Sequence, residues 1–193
     1  MSDTSPSLLE RLREGADPQS WRRLVDLYTP LIRDWLRRQA LQEQDADDLV
    51  QEVLLAVLRE LPRFHYDRSR GSFRGWLRTI TANRLRAFWR ARQYRPAVGT
   101  VDFERLVDGL EDPDSQLSRL WDEEHDRHVV DRLLELIESE FEPATWRAFR
   151  RVTLDSAKPA EVAAELGVTA NAIFIAKSRV LARLRDELRG LVE

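Results

Sequence analysis

Residues 45–62 have the sequence DADDLVQEVLLAVLRELP, and this stretch decides the fold class. Its apolar residues recur every three or four positions, the spacing of one face of an α-helix. We place the helix start at Asp45, as an N-cap, with Asp48 as an acid in the first turn and Pro62 as the terminator. The apolar stripe is formed by Leu49, Val50, Val53, Leu54, Val57, Leu58 and Leu61. The stretch therefore predicts an amphipathic helix with one buried face.

Helical periodicity continues on both sides of this segment. A preceding helix is predicted from Trp21 to Leu36, with Pro30 expected to kink or split it, and a following one from about Ser72 to Arg92. A second helical unit is predicted from about Leu120 to the end, with Val129 to Phe141 forming its first helix and a short helix after Glu142-Pro143 continuing through Phe149. No strand-like alternation or internal repeat is present. We predict an all-α fold.

Charge divides the chain into parts, although the net charge is only −3. Residues 63–95 hold ten arginines against one acid, whereas residues 102–126 hold ten acids against two arginines. The breakers Pro96, Gly99, Gly109 and Pro113 interrupt the acidic stretch, so we expect residues 96–118 to form a linker with little to bury. The predicted architecture is two small helical domains, 1–95 and 129–193, joined by an acidic linker, 96–128.

Several classes of protein are disfavoured by the composition. The chain has no cysteine, which removes disulfides and thiolate chemistry. The N-terminus lacks the apolar core of a secretory signal, and the longest apolar run, Val53–Leu58, is too short to span a bilayer. No phosphate loop, catalytic triad spacing or convergent metal-ligand set is present. We expect a soluble cytoplasmic protein that is not an enzyme, holds no metal or cofactor and does not insert into membranes.

The basic block also contains most of the aromatic residues of the N-terminal half. Guanidinium groups bind phosphates, and aromatic rings stack on unpaired bases. Interleaving the two describes a surface that holds a nucleic-acid strand and traps bases taken from a duplex. The alternative is a solvated basic face that covers an aromatic core. The aromatic residues are Phe64, Tyr66, Phe73, Trp76, Phe88, Trp89 and Tyr94.

The C-terminal segment suggests a helix-turn-helix. Residues 159–166 predict a short helix, Gly167 a turn, and Thr169 the N-cap of a second helix. The groove-facing side of that second helix would carry DNA contacts. An ordinary helical hairpin is the alternative. The candidate contact residues are Thr169, Asn171, Phe174, Ile175, Lys177, Ser178 and Arg179.

The face of the 45–62 helix opposite its apolar stripe carries Asp48, Glu52, Leu55 and Arg59. A metal site through its carboxylates is disfavoured because no histidine pairs with them at helical spacing. A leucine among charges on an exposed face instead favours a docked protein partner.

Taken in order, these motifs resemble a known family. DADDLVQEV (45–53), Phe64, GSFRGWL (71–77), Ile80 and NRLR (83–86) resemble conserved region two of bacterial sigma factors of the extracytoplasmic-function (ECF) group, in the sigma-70 family. Residues 161–185, particularly AIFIAKSRVL (172–181), are similar to region four of the same group. Ala87 and Lys158 depart from residues common in the family.

The resemblance implies a protein that binds core RNA polymerase and directs promoter recognition and transcription initiation. It implies that the first helix face binds polymerase, that the basic block melts the −10 element, and that the helix-turn-helix reads the −35 element of promoter DNA. An anti-sigma factor is a further expected partner. Polymerase contacts are assigned to Asp48, Gln51, Glu52, Leu55 and Arg59. Contacts to the −10 element are assigned to Phe64, Tyr66, Arg68, Arg70, Phe73, Arg74, Trp76, Arg78, Asn83, Arg84 and Arg86.

Two alternatives stay open at this point. A helix-turn-helix regulator that binds duplex DNA without melting it would not need the aromatic set. An interaction protein that keeps the same fold without binding DNA would lack the strong salt dependence of DNA binding.

Overall fold

A computed structural model of the chain describes residues 7–15, 18–38, 41–64, 72–92 and 100–192. Within these ranges the secondary structure is helical, which confirms the all-α prediction. The helices, in chain order, are α1 (Leu8–Gly15), α2 (Pro18–Arg37), α3 (Glu43–Glu60), a 3₁₀ turn (Leu61–Arg63), α4 (Phe73–Arg92), α5 (Thr100–Glu111), α6 (Gln116–Glu138), α7 (Pro143–Thr153), α8 (Pro159–Leu166) and α9 (Ala170–Leu188).

Helix α3 packs between α2 and α4 through the predicted apolar stripe. It begins at Glu43, two residues before the predicted start, and Gln42 occupies the N-cap without a side-chain hydrogen bond. Asp45 is therefore a first-turn acid, and it is buried. Leu58 is a second correction, because it is 39% exposed and not part of the buried stripe.

Helix α2 runs without a break through Pro30, so the expected split does not occur. Helix α1 was not predicted, although its start carries a capping-box sequence. The Ser7 amide donates to the Glu10 carboxylate at 2.7 Å, and the Glu10 amide donates to Ser7 Oγ at 3.3 Å. Leu8 and Leu12 of this helix are buried in the core.

The expectation that residues 96–118 have little to bury is wrong for the described part of that segment. Helices α5 and α6 form across residues 100–138, and Val107, Leu110 and Trp121 are almost completely buried. The acids of the segment lie on a helical surface while its apolar residues, spaced three or four apart, enter the core. Ser115 caps α6 by accepting a hydrogen bond from the Ser118 amide at 3.0 Å.

One hydrophobic core joins helices from both ends of the chain. Helix α6 contacts α2, α4, α5 and α9, and Trp121 meets Trp35 of α2 edge to face with ring centroids 5.0 Å apart. The buried carboxylate of Glu187 in α9 accepts from Arg183 at 2.6 Å and from Arg11 of α1 at 3.3 Å. The N-terminal and C-terminal helices are thus packed against each other in one core.

The C-terminal helices form a smaller cluster of their own. Ala148 of α7, Val162 and Ala163 of α8, and Ile173 and Ala176 of α9 are buried together. The chain bends by 104° between α8 and α9, within the range typical of helix-turn-helix units. In the described part of the chain no single helix has both the length and the apolar composition to span a membrane, although this bent pair passes that test when its two helices are combined.

Candidate nucleic-acid interface

The outer face of α3 is built as the sequence predicts. Its five candidate residues are all exposed, while the opposite side of the helix is buried in the core. Leu55 is 49% exposed, and Leu58 joins it as a second exposed leucine that the sequence analysis had placed in the core. Exposed leucines beside carboxylates give this face the composition of a protein-binding surface. The candidates are Asp48, Gln51, Glu52, Leu55 and Arg59.

The arginines at the start of α4 are not free for phosphate in this structure. Arg78 is only 7% exposed, and its Nη1 donates to the Asp122 carboxylate of α6 at 2.6 Å. Arg74 donates from Nη1 to Asp126 at 2.5 Å and to the carbonyl of Val192 at 3.1 Å. Acids of the predicted linker thus neutralise two arginines that the sequence assigned to DNA.

A third α4 arginine is paired in the same manner with α5. Arg86 forms a two-bonded ion pair with Glu111, in which Nη2 donates to Oε2 at 2.7 Å and Nη1 bonds Oε1. This hydrogen bonding lowers the pKa of Glu111 below its ordinary value. The carboxylate therefore stays ionised, and the pair persists at neutral pH.

Two further candidates, Asn83 and Arg84, lie between Arg78 and Arg86 on α4, and Asn83 accepts a hydrogen bond from Arg86 Nη1 at 3.5 Å. Asn83 is exposed, Arg84 is half-buried, and Arg84 makes no ion pair with a described residue. Arg90, which was not among the candidates, is also exposed on this helix. Its position four residues beyond Arg86 was visible in the sequence and could have added it to the set.

Three aromatic candidates form one cluster where the 3₁₀ turn meets α4. Phe64 and Trp76 have ring centroids 4.7 Å apart, and both contact Phe73. Phe73 is fully buried and packs on Tyr28, so we correct its assignment from base contact to core. Phe64 and Trp76 are half-buried, so part of each side chain remains accessible. The remaining candidates Tyr66, Arg68 and Arg70 lie outside the described residues.

A buried polar network adjoins the ion pair of Arg74, because Asp126 contacts both Arg74 and His125. His125 of α6 is fully buried, with Nε2 3.2 Å from the Tyr28 hydroxyl and Nδ1 3.0 Å from Asp126 Oδ1. Burial lowers the pKa of His125, with the Asp126 carboxylate opposing that shift. Burial also raises the pKa of Tyr28, which keeps its hydroxyl protonated as a donor.

The first three turns of α9 carry the residues that the sequence predicts to contact DNA. Thr169 caps the helix by accepting from the Ala172 amide at 3.2 Å, and Gly167 adopts φ +66°, which ends α8 in the left-handed conformation. Among the candidates Lys177 is half-buried and the others are exposed: Thr169, Asn171, Phe174, Ile175, Ser178 and Arg179.

Large apolar residues stand out on this surface. Phe174 and Ile175 are 54% and 52% exposed, and Val168 in the turn is 44% exposed. Val168 was not among the candidates, although it lies one residue before the N-cap. Apolar side chains at the entering end of such a helix can contact thymine methyl groups in a major groove. The surface therefore combines apolar, amide and guanidinium groups suited to base edges.

A match to a protein family and the similarity to individual proteins both indicate the same family. Residues 24–95 match the family described as Sigma-70 region 2. The chain is 30% identical to the ECF RNA polymerase sigma factor SigF of Caulobacter vibrioides, over 98% of this chain and 98% of that protein. It is 29% identical to the RNA polymerase sigma factor NccH of Alcaligenes xylosoxydans xylosoxydans, over 98% and 97% of the two chains.

Proposed function

The chain belongs to the ECF group of sigma factors in the sigma-70 family, and on that premise we propose which of its surfaces perform each step of transcription initiation. As a sigma factor it binds core RNA polymerase and directs the enzyme to promoter DNA. The observation that carries our assignment is the contrast between neighbouring helices. The outer face of α3 is acidic and apolar, whereas α4 carries the row of arginines.

We assign polymerase binding to the outer face of α3. Its residues Asp48, Gln51, Glu52, Leu55 and Arg59 are exposed together, and Leu58 enlarges the apolar part of the surface. Burial of Leu55 and Leu58 at the interface would supply a nonspecific, hydrophobic part of the binding free energy. The carboxylates of Asp48 and Glu52 would orient the face toward a basic partner surface.

We assign melting of the −10 element to α4 and the aromatic residues next to it. Arg84 would hold a phosphate, and Asn83 would contact a base edge. Arg74, Arg78 and Arg86 belong to the proposed set through the family resemblance, since in this structure they pair with acids of α5 and α6. Phe64 and Trp76, both half-buried, would contact an unstacked base with the accessible part of their rings. Tyr66, Arg68 and Arg70 belong to the same proposed set through the family resemblance.

We assign the −35 element to the helix-turn-helix of α8 and α9. Asn171, Ser178 and Arg179 supply polar contacts, Lys177 supplies a charge for the phosphate backbone, and Thr169 fixes the start of the helix. Phe174 and Ile175 suit thymine methyl groups. The functional units correspond to residues 1–95, 96–128 and 129–193, although one core joins them in this structure.

The remaining assignments follow from the family. Sigma factors act as initiation factors and not as catalysts, so we infer that the chain is not an enzyme. It would work in the cytoplasm, where bacterial RNA polymerase is found, and an anti-sigma factor is an expected regulator.

Run-off transcription on a promoter library tests this function. The purified chain added to core polymerase should give transcripts whose templates share two upstream motifs separated by a fixed spacing. A matched reaction with the Asp48→Arg, Glu52→Arg variant should give background only. Transcripts without a shared upstream motif, or equal transcription from the variant, would contradict the assignments.

A further inference from the structure

Two large apolar residues stand next to each other on the outer side of α9. The side chains of Phe174 and Ile175 are 54% and 52% exposed, and among the described residues neither belongs to the small buried cluster of α7, α8 and α9. Single exposed apolar residues are ordinary on a protein surface. These two adjoin each other in the part of the helix that we assign to the −35 element, so they bear on which bases the protein prefers.

Helical geometry places the two residues on either side of the line that faces outward. Successive residues of an α-helix are rotated by about 100° around its axis. The exposed residues Asn171 and Ser178 lie opposite the buried side of α9 and mark the outward line. Phe174 projects to one side of that line and Ile175 to the other.

The charges around the two residues favour nucleic acid as the occupant of this surface. Residues 167–185 contain four basic residues and no acid. Glu165, an acid of the preceding helix, is paired with Arg151 of α7 at 3.0 Å. The surface therefore suits a polyanion that also offers small apolar groups. Duplex DNA meets both conditions, because thymine carries a methyl group in the major groove.

We propose that Phe174 and Ile175 determine part of the promoter specificity by contacting the 5-methyl groups of two thymines on opposite strands of the −35 element. The proposal rests on the assignment of α8 and α9 to that element, and it adds the identity of two base pairs. One thymine is expected on each strand because residues on the two sides of a helix in the major groove approach different strands.

A methyl group is the partner that the chemistry of these side chains selects. Neither side chain can donate or accept a hydrogen bond, so neither can read the polar edge of a base. The 5-methyl group distinguishes thymine from cytosine, and its burial against an apolar side chain removes the surface of both from water. The polar groups of Asn171, Ser178 and Arg179 stay available for the base edges between and beside the two thymines.

Both side chains are held in position before DNA binds. Thr169 caps α9 by accepting from the Ala172 amide at 3.2 Å, and Ile173 anchors the first turn in the core. A β-branched side chain such as Ile175 has one strongly preferred rotamer in a helix, and the ring of Phe174 rotates about only two bonds. Little conformational entropy is therefore lost when a methyl group is bound.

Replacement of thymine by deoxyuridine tests these contacts, because it removes the methyl group and leaves base pairing intact. The probe is a duplex promoter that carries the −35 motif obtained from run-off selection, bound by the holoenzyme. Thymines of that motif are replaced singly, in one strand and then in the other. Wild type should bind about three- to fivefold more weakly when deoxyuridine replaces the contacted thymine of either strand, as expected for loss of one buried methyl group.

Each alanine variant should abolish the methyl effect in one strand only. With Phe174→Ala the penalty for deoxyuridine should vanish in one strand, and with Ile175→Ala it should vanish in the other. Ile175→Val keeps a branched apolar side chain and should retain the penalty. Both positions are exposed, so circular dichroism of the variants should match wild type.

Leu154→Ala is the matched control for removal of an exposed apolar side chain. Leu154 is 53% exposed at the end of α7, outside the surface of α9. This variant should show the same deoxyuridine penalties as wild type. A penalty that disappears in the control as well would show that it does not report contacts of α9, and the proposal would fail.

Three further results would overturn the proposal. The first is a selected −35 motif that lacks thymine in one of its strands. The second is wild-type binding that does not distinguish deoxyuridine from thymine, even if the alanine variants bind weakly, because the two residues would then serve the fold or a protein partner. The third is a penalty that survives both alanine substitutions.

Failure of methyl recognition can be separated from failure of the −35 assignment. Arg179→Ala tests that assignment without involving a methyl group. If upstream base preference is unchanged in Arg179→Ala and in both alanine variants of the apolar pair, the assignment fails and methyl recognition fails with it. If Arg179→Ala relaxes the preference while deoxyuridine has no effect, methyl recognition alone fails.

Discussion

Tyr28 of α2 and His125 of α6 meet in the core, with the phenol oxygen 3.2 Å from Nε2. Both contacts of the ring are satisfied by a neutral imidazole that accepts from Tyr28 and donates from Nδ1 to Asp126. Charged groups around the ring are Asp126 and Asp122 on α6 and Arg74 on α4. Burial dominates this balance and lowers the pKa of His125, so the folded protein resists its protonation.

This histidine should make stability depend on pH. Since its pKa is lower in the folded state than in the unfolded chain, the unfolded state binds more protons below about pH 6.5. The free energy of unfolding should therefore fall as pH drops from 7.5 to 5.5. His125→Gln should flatten that slope, whereas His128→Gln should retain it. Parallel urea midpoints for wild type and His125→Gln across the range would contradict this prediction.

The buried carboxylate of Glu187 should be important for stability. Breaking a buried ion pair by removing one partner costs about 3–5 kcal/mol, because it leaves charges without compensation. Glu187→Ala removes the buried acceptor that Arg11 and Arg183 share, while Arg183 keeps its bonds to Glu140, so the urea midpoint should fall toward the lower end of that range. Asp186→Ala removes a surface pair with Arg189 and should cost at most about 1 kcal/mol. Similar losses in the two variants would show that Glu187 is not a central contact.

Charge reversal on α3 should abolish binding to core polymerase. Asp48→Arg with Glu52→Arg places like charges against a basic partner surface, while both positions are exposed, so circular dichroism should be unchanged. The control, Glu123→Arg with Asp131→Arg, makes the same charge change on α6. If the α3 variant pulls down as much core polymerase as wild type does, this face does not bind polymerase.

Arg179 should contribute to base preference at the −35 element. Loss of one base-specific contact costs about 1–3 kcal/mol, so Arg179→Ala should weaken promoter binding and relax preference at one or two base pairs. Arg185→Ala removes another exposed arginine, from the far half of α9, and should not alter preference. The measurement is selection from randomised upstream sequences with each holoenzyme. An unchanged preference for Arg179→Ala would exclude it from base recognition.

Much of the fold was visible in the sequence because helix signals are local. The stripe of α3, the N-cap Thr169 and the turn at Gly167 depend on residues within a few positions of each other. Where composition was given more weight than periodicity, prediction failed. The acids of residues 102–126 suggested a linker, although Val107, Leu110 and Trp121 follow helical spacing and are buried.

The residue types of the candidate site were predictable from the sequence. The ion pairs that these residues form were not. Arg78 and Asp122 are 44 positions apart, and Arg74 and Asp126 are 52 apart, so only the docking of α6 on α4 shows that they meet. Phe73, which the sequence assigned to base contact, is buried against Tyr28 of α2, a contact between residues 45 positions apart. Complementary charge between residues 63–95 and 102–126 was the available signal.

Promoter melting by the holoenzyme tests the central claim most directly. Permanganate reactivity of thymines near the start site should appear with wild type on duplex promoter and decrease strongly with Asn83→Ala, Arg84→Ala. A template with a pre-opened bubble should restore transcription by that variant, because stacking and strand contacts worth about 1–3 kcal/mol per base are then needed less. Full reactivity of the variant on duplex DNA, or equal loss of transcription on duplex and bubble templates, would contradict the assignment of α4 to strand separation.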